Sequence, residues 1–308
     1  MAKVGLVIRP GILKAVEHGQ ELIEWAYRNG HDLLLEEETS FLVRSLRADP
    51  TGSISRAVEA ISSPTQRRLS AAAIAGEADV VVVLGGDGTL IGVARYVTSD
   101  KPLLLGVNFG TLGFLTEIAP ADLMSTVEAV FNGSAQTGER RMISARVMRE
   151  GRCVFESQSI NDVVVQKGAQ DRLLALDLSV DGEAVMRLRA DGIIFATPTG
   201  STAYSLAAGG SILFPSLSAV MVTPICAHAL TIRPLILDMD SEVRVSVPEY
   251  DGKVFLTIDG QVSEPLFTGD SVVIRKANNT VRIVRSASKT YFAILRNKLN
   301  WGLGNKAE

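Results

Sequence analysis

The sequence predicts a doubly wound α/β domain, then a β-rich, β-sandwich-like domain, then a closing helix that packs back on the first domain. Three observations predict this. Up to about Gly133, apolar strand-like runs alternate with helical segments, the order of elements in a doubly wound sheet. From Arg141 onward, short and often alternating strands follow one another, separated by turn pairs such as DG and EG. A chain of 308 residues is also long for a single core. The expected partition is residues 1–135, 136–275 and a returning segment, 276–308.

Taken in order, Val4 to Ile8 reads as a short buried strand and Gly19 to Asn29 as an amphipathic helix. HDLLLEE reads as a second strand. Ser40 to Gln66 is ambiguous, with a loop around ADPTGS. Ala72 to Ala78 ends a helix, and Asp79 to Leu84 forms a central strand. After its first acid that strand is apolar and non-alternating, as parallel strands covered on both faces are. LIGVARYV reads as a helix and PLLLGVNFG as the next strand, which completes a Rossmann-like pattern. In the β-rich part the convincing helical signal is the segment after TGSTAYS. The tail SASKTYFAILRNKLNWG is helical again.

Composition excludes some classes of partner. A net charge of -3 offers no basic field for nucleic acid. No run approaches the roughly 18 apolar residues needed to cross a bilayer, and no signal-peptide pattern opens the chain, so a cytoplasmic protein without membrane partners is expected. Cys153 and Cys226 match no CxxC pattern and are expected as buried thiols. His228 is expected as a hydrogen-bonded structural histidine, His18 and His31 as surface residues, and Trp25 as core.

The most informative stretch is VVVVLGGDGTL, Val80 to Leu90. Its glycines permit close approach of backbone to ligand, and a helix starting near Thr89 would offer N–H donors to phosphate. No GxxxxGK[ST] sequence supplies a neutralising lysine, and Asp87 stands where one would be expected. Asp87 could hold Mg²⁺ against a phosphate, accept a proton from an attacking hydroxyl, or cap the helix in a plain turn. Asn108, Gly110 and Gly113 lie just past the next strand, on the other lip of a crevice at the strand ends. Asn161 and Asp162 open a strand in the second domain. Arg187, Arg189 and Asp191 precede another strand. The hydroxyls of Thr197, Thr199, Ser201 and Thr202 beside Gly200 suggest a second anion cradle.

Together, GGDGT at 85–89, NFGTLGFLTE at 108–117, IND at 160–162, ADGIIFATPTGSTAYSLAAGG at 190–210 and IDGQ at 258–261 resemble the NAD kinase family. The resemblance runs from residue 3 to about 295, and TPTGSTAYSLAAGG is its most specific block. It implies transfer of a phosphoryl group to the adenosine 2′-hydroxyl of NAD, with Asp87 as proton acceptor and Gly88 lining the NAD site. By the same resemblance Asn161 and Asp162 would bind base and ribose, and Arg172, Arg189 and Asp191 match polar positions of the dinucleotide site. Thr202, Ala203, Tyr204, Ser205, Leu206 and Ala207 would wrap the ligand, and Gln261 would reach in from its turn. Phe114 and Leu115 fall where some members carry an aromatic pair near adenine; Leu115 departs from that pattern. The family further implies ATP, another nucleoside triphosphate or inorganic polyphosphate as donor, a divalent metal such as Mg²⁺ with unassigned ligands, and homodimers or homotetramers. A lipid kinase sharing GGDGT and a non-catalytic dinucleotide sensor are the alternatives. The TPTGSTAYSLAAGG block disfavours the first, and the intact Asp87 disfavours the second.

Overall fold

The computed structural model describes residues 1–39, 67–168, 173–229, 231–248, 250 and 252–301. The ambiguous stretch from Ser40 to Gln66, and Arg172, lie outside the described residues. The chain forms two compact units, Met1–Glu139 with Val281–Glu308, and Arg140–Thr280.

The first unit opens with β1 (Lys3–Ile8), α1 (Leu13–Arg28), β2 (Asp32–Glu36), β3 (Arg67–Leu69) and α2 (Ala71–Glu77). It continues with β4 (Val80–Gly85), α3 (Asp87–Ala94), β5 (Leu103–Asn108) and α4 (Leu123–Phe131). The strands pair in the order β3-β2-β1-β4-β5, all parallel. Because β2 and β3 lie to one side of β1 and β4 and β5 to the other, the topological switch point falls between β1 and β4. A crevice is expected there at the carboxyl ends of the strands. β4 is buried along its whole length, which is why its sequence does not alternate. Helix α1 starts earlier than its sequence suggests, because Ala15 and Val16 continue the buried face of Gly19, Leu22, Ile23 and Ala26.

The second unit is built from β6 (Thr137–Arg149), β7 (Arg152–Ser159), β8 (Asp162–Lys167), β9 (Leu174–Val180), β10 (Glu183–Ala190) and β11 (Gly192–Ala196). A short helix α5 (Tyr204–Ala207) interrupts it. Then follow β12 (Ala219–Ile225), β13 (Leu235–Asp238), β14 (Val243–Ser246), β15 (Val254–Ile258), β16 (Val262–Leu266) and β17 (Ser271–Val284). One sheet carries β10-β9-β14-β17, with β6 pairing β17 and β7; the other runs β13-β12-β11-β8-β15-β16. Their inner faces share one core that includes Ile143, Leu176, Val245 and Ile274 from the first sheet and Val163, Phe195, Val222 and Leu256 from the second. This is a sandwich. The outer face of β8 and β11 is covered too, since Val164, Ile194 and Ala196 pack with Leu213. Hence DVVV, GIIFA and the AVMV of β12 read as continuous apolar runs, each with both faces covered. Three hairpins close on pairs with positive φ at both residues, Glu150–Gly151, Asp181–Gly182 and Asp259–Gly260, the signature of type I′ turns.

The end of β17 belongs to the first unit, where Arg282 and Ile283 pair in parallel with Leu103 and Leu104. Helix α6 (Tyr291–Leu299), capped by the Thr290 hydroxyl on the Ala293 N–H, completes that unit.

Several minor expectations are corrected. Both cysteines are exposed: Cys226 lies just past the end of β12 with φ 48°, and Cys153 sits at the β6–β7 hairpin. His31 is half-buried, its ring lying between Trp25 (centroids 5.1 Å apart) and Phe131 (4.5 Å). Burial first, and the nearby N-terminal charge second, push its pKa below the ordinary histidine value. His18 is half-buried, tilted on Phe109 and paired with Glu21 at 3.0 Å. His228 is exposed, and its backbone N–H donates to the Arg189 carbonyl.

Candidate active site

The glycine turn joins β4 to α3 without an intervening loop. Gly86 is the N-cap residue and offers no side chain; Asp87 is the first residue of the helix. Its carboxylate therefore does not cap its own helix. It reaches across to the segment after β5 and accepts from the Phe114 N–H on Oδ2 (2.8 Å). Oδ1 accepts from the Leu115 N–H (3.1 Å), the Thr116 N–H (2.9 Å) and the Thr116 hydroxyl (2.8 Å). Three consecutive amides and a hydroxyl thus hold the acid, with Oδ2 the less heavily bonded oxygen.

The holding segment is itself fixed. Asn108, 8% exposed, donates to the Thr116 hydroxyl at 2.9 Å and accepts from the Gly110 N–H at 2.7 Å. Ladder bonds join Asn108 to Ile118 and Ile118 to Gly106. Gly113 is obligatory here, because a Cβ would fall on the Asp87 carboxylate and the Thr116 hydroxyl. Next to this arrangement is a cavity of about 230 Å³, lined by the Gly85–Gly88 turn, Asn108 to Thr111 and Gly113. Two cations line the same cavity, Arg9 at the end of β1 and Lys298 on α6. It lies at the switch point, where the topology places it.

In the second unit the start of β8 lies between the ends of β11 and β15, since Asp162 pairs with Ala196 and Val163 with Ile258. That register gathers Asn161 and Asp162, the bend after β11, and the turn carrying Gln261. Asp162 is buried, and the Tyr204 N–H donates to its carboxylate. Burial first and the neighbouring Asp259 carboxylate second push its pKa up to about 7, against the Tyr204 bond.

The bend from Thr197 to Thr202 does not present all its hydroxyls. Thr197, wholly buried, donates to the Ile160 carbonyl at 2.5 Å and accepts from the Gly200 N–H at 3.1 Å. Ser201, also wholly buried, donates to the Pro198 carbonyl at 2.6 Å and accepts from the Leu213 N–H at 2.9 Å. These two tie the bend together, and the expectation that they form an anion cradle fails for them. Gly200 sits so close over the backbone of Asn161 that no Cβ fits.

Two family models cover most of the chain: that of the ATP-NAD kinase N-terminal domain matches residues 4–135, and that of the ATP-NAD kinase C-terminal domain matches residues 160–286. The chain belongs to the NAD kinase family. An NAD kinase of Citrifermentans bemidjiense is 42% identical over 98% of this chain and 99% of its own. One of Koribacter versatilis is 38% identical over the same shares. The fold matches that of yeast NADH kinase complexed with NADH, with a TM-score of 0.88 at 24% identity over 100% of this chain and 90% of that one. It also matches an NAD kinase from Archaeoglobus fulgidus in complex with ATP, with a TM-score of 0.68 at 21% identity over 96% of this chain and 99% of the other. As an NAD kinase, the chain phosphorylates NAD to NADP, with NAD and ATP as its substrates. Among the described residues, no helix is long and apolar enough to cross a membrane.

Of the residues expected at the NAD kinase site, Asp87 and the exposed Gly88 line the first-unit cavity. Asn161, Asp162, Thr199, Thr202, Ala203, Tyr204, Leu206, Ala207 and Gln261 lie on the segments gathered around the start of β8. Tyr204 is 42% exposed, Gln261 is exposed, and Thr202 donates its hydroxyl to the Thr199 carbonyl. Ser205 is wholly buried against Thr223 at 2.8 Å. Asp191 and Arg189 belong elsewhere in the unit: they adjoin the other end of β11, four residue steps or about 13 Å from Ala196. There Asp191 pairs with Lys167 at 3.5 Å, and Arg189 is exposed. Leu115 is buried, and Phe114 lies under Lys298 at 5.8 Å. Sequence reasoning passed over Arg9, Lys298, Thr116 and Asp259. Arg9 follows a strand as any surface arginine might, whereas Asp259 stood in the quoted IDGQ and was read only for its glutamine neighbour.

Proposed function

We propose that the first-unit cavity takes the phosphate end of the donor and that Asp87 accepts the proton of the adenosine 2′-hydroxyl. The carrying observation is the fixed Asp87 carboxylate in a cavity that also holds two cations. In the reaction a bond forms between the 2′-oxygen and the γ-phosphorus while the bond to the β,γ-bridging oxygen breaks. ADP leaves, and the proton passes to Asp87. A sugar hydroxyl is a poor acid, so the proton moves late and much of the benefit is orientation. Charge on the transferring oxygens must also be neutralised. Arg9 and Lys298 take the part that a P-loop lysine plays elsewhere. Asn161, Asp162, Thr199, Thr202, Ala203, Tyr204, Leu206, Ala207 and Gln261 bind NAD. Ser205 acts from below, by holding the bend.

A divalent metal, Mg²⁺ foremost, fits as a passenger on the donor. Among the described residues no group of three His, Cys, Asp or Glu side chains could cage one, and Mg²⁺ is commonly held by a carboxylate or two plus substrate phosphates. Asp87 is the carboxylate available in that cavity, and the metal when bound would neutralise phosphate charge. Polyphosphate as an alternative donor and a dimer or tetramer whose neighbouring copy completes part of the site follow from the family resemblance, and the cytoplasmic location stays a reading of the sequence. Sedimentation of the active enzyme at micromolar concentration checks the assembly; a monomer with full activity removes that part.

The double variant Arg9→Gln with Lys298→Gln tests the donor assignment. Each lost charge-assisted bond is worth about 1.5–3 kcal/mol, so KM for ATP is expected to rise at least about tenfold while KM for NAD stays within about twofold. Steady-state kinetics with each substrate varied decides it. An unchanged KM for ATP together with an unchanged kcat overturns the donor site.

A further inference from the structure

Asp259 lies in the hairpin turn between β15 and β16. Its carboxylate is spent wholly on another segment. Oδ1 accepts from the Ser159 hydroxyl at 2.6 Å, the Asn161 N–H at 2.8 Å and the Asp162 N–H at 3.1 Å. Oδ2 accepts from the Ile160 N–H at 3.3 Å. In return the Asp259 N–H donates to the Asp162 carbonyl at 2.9 Å. Three consecutive amides wrap one anion, the arrangement in which a backbone concavity binds a negative ion. Here the ion is supplied by the chain itself, from about a hundred residues away.

Ser159 to Asp162 leaves β7 and enters β8, and without Asp259 three of its N–H groups would be left without that acceptor. Their loss would release the stretch that carries Asn161 and Asp162. The same stretch is gripped from the other side, since the Thr197 N–H donates to the Asn161 carbonyl at 2.8 Å and the Thr197 hydroxyl to the Ile160 carbonyl. Two residues beyond Asp259, in the same turn, stands Gln261. One carboxylate thereby ties the turn bearing Gln261 to the segment bearing Asn161 and Asp162.

We infer that Asp259 is the positioning residue of the NAD-binding segments of the second unit, setting Asn161 and Asp162 relative to Gln261 without itself touching the dinucleotide. The inference rests on the NAD-binding reading of Asn161 and Asp162 and names what holds them. It also accounts for keeping two carboxylates close together in a buried place, where burial raises the pKa of both and the Asp259 carboxylate raises that of Asp162 further. The amides of residues 160–162 need a fixed anion, and Asp162 stands at the edge of their ring.

The backbone at Asp259 has φ 50°, a left-handed conformation that Asn tolerates and Ala resists. Asp259→Asn is therefore the informative variant. Its amide oxygen can keep the three donors of Oδ1, but the charge is gone and the amide NH₂ faces the Ile160 N–H. KM for NAD is expected to rise about tenfold, the equivalent of one charge-assisted bond, with KM for ATP within about twofold and kcat falling less than KM rises. Asp259→Ala should show a larger rise in KM for NAD. Should either variant fail to fold, Ser159→Ala removes one of the four bonds without touching the turn, and a KM for NAD several-fold above wild type is expected of it. Asn161→Ala and Asp162→Ala are measured alongside. If those two retain the wild-type KM for NAD, the NAD-binding reading fails and takes the inference with it. If they lose NAD while Asp259→Asn, or Ser159→Ala where that must serve, matches wild type, only the positioning role is overturned. An equal rise in both KM values would mark a general structural role and overturn it as well.

Discussion

Asp87→Asn is expected to lower kcat by at least about 10²-fold, the lower bound for loss of a general base. It is also expected to destabilise the first unit by about 1–3 kcal/mol. The second effect comes from the bonding of the carboxylate. An asparagine can set its oxygen at the Oδ1 position and keep the Leu115 and Thr116 donors. Its NH₂ must then face the Phe114 N–H, which donates to Oδ2 in the native enzyme. Two donors oppose one another, and the remaining bonds lose the charge that roughly doubles their strength. A plain helix-capping role would predict neither effect, because Asn caps nearly as well as Asp and the cap here is Gly86. kcat per folded molecule, KM for NAD and the melting curve check it together. Turnover close to wild type in the folded variant would remove Asp87 as the base.

Gly113→Ala should have an effect of similar size through geometry alone. The added methyl would fall on the Asp87 carboxylate and the Thr116 hydroxyl. The segment cannot back away freely, because Asn108 and Ile118 are tied by ladder bonds and Asn108 holds Thr116. Displacement of the acid by about 1 Å can cost about 10²-fold in rate, and overpacking costs about 1–3 kcal/mol of stability. KM for NAD should move little. Gly76→Ala, at an exposed position of α2 with nothing within 4 Å, is the control and should leave turnover unchanged. A fully active Gly113→Ala enzyme would show that the placement of Asp87 is not critical.

The change from strand–helix alternation to successive strands was legible because each unit keeps its own periodicity. Even the non-alternating DVVV and GIIFA follow from faces covered on both sides. The GGDG turn and the NFGTLG segment could be placed on facing lips of a crevice because doubly wound sheets put their ligands at strand ends. What the turn does with its acid was not legible: Phe114, Leu115 and Thr116 bind Asp87 through backbone amides, which any residue but proline supplies. The same reason hid Asp259. Lys298 was not legible for another reason: a closing helix on the first domain could be expected, but not which of its side chains lines the cavity. Thr197 and Ser201 were read as ligand groups because hydroxyls that bind a phosphate and hydroxyls that close a bend have the same spelling.

The three type I′ hairpins show how a specific residue can be written into a generic one. Such a turn asks its first position only to accept a left-handed backbone, and the chain answers with Glu150, Asp181 and Asp259. As far as the bend is concerned these answers are near synonyms. Asp181 accepts on its side chain from the Glu242 N–H at 2.8 Å, whereas Asp259 uses the same latitude to clasp a distant segment. Degeneracy in what a turn requires leaves one letter unspoken for, and in the third hairpin that letter carries a message about the binding site. An engineer grafting this hairpin elsewhere could replace Asp259 by Gly and keep the bend, yet would lose the clasp.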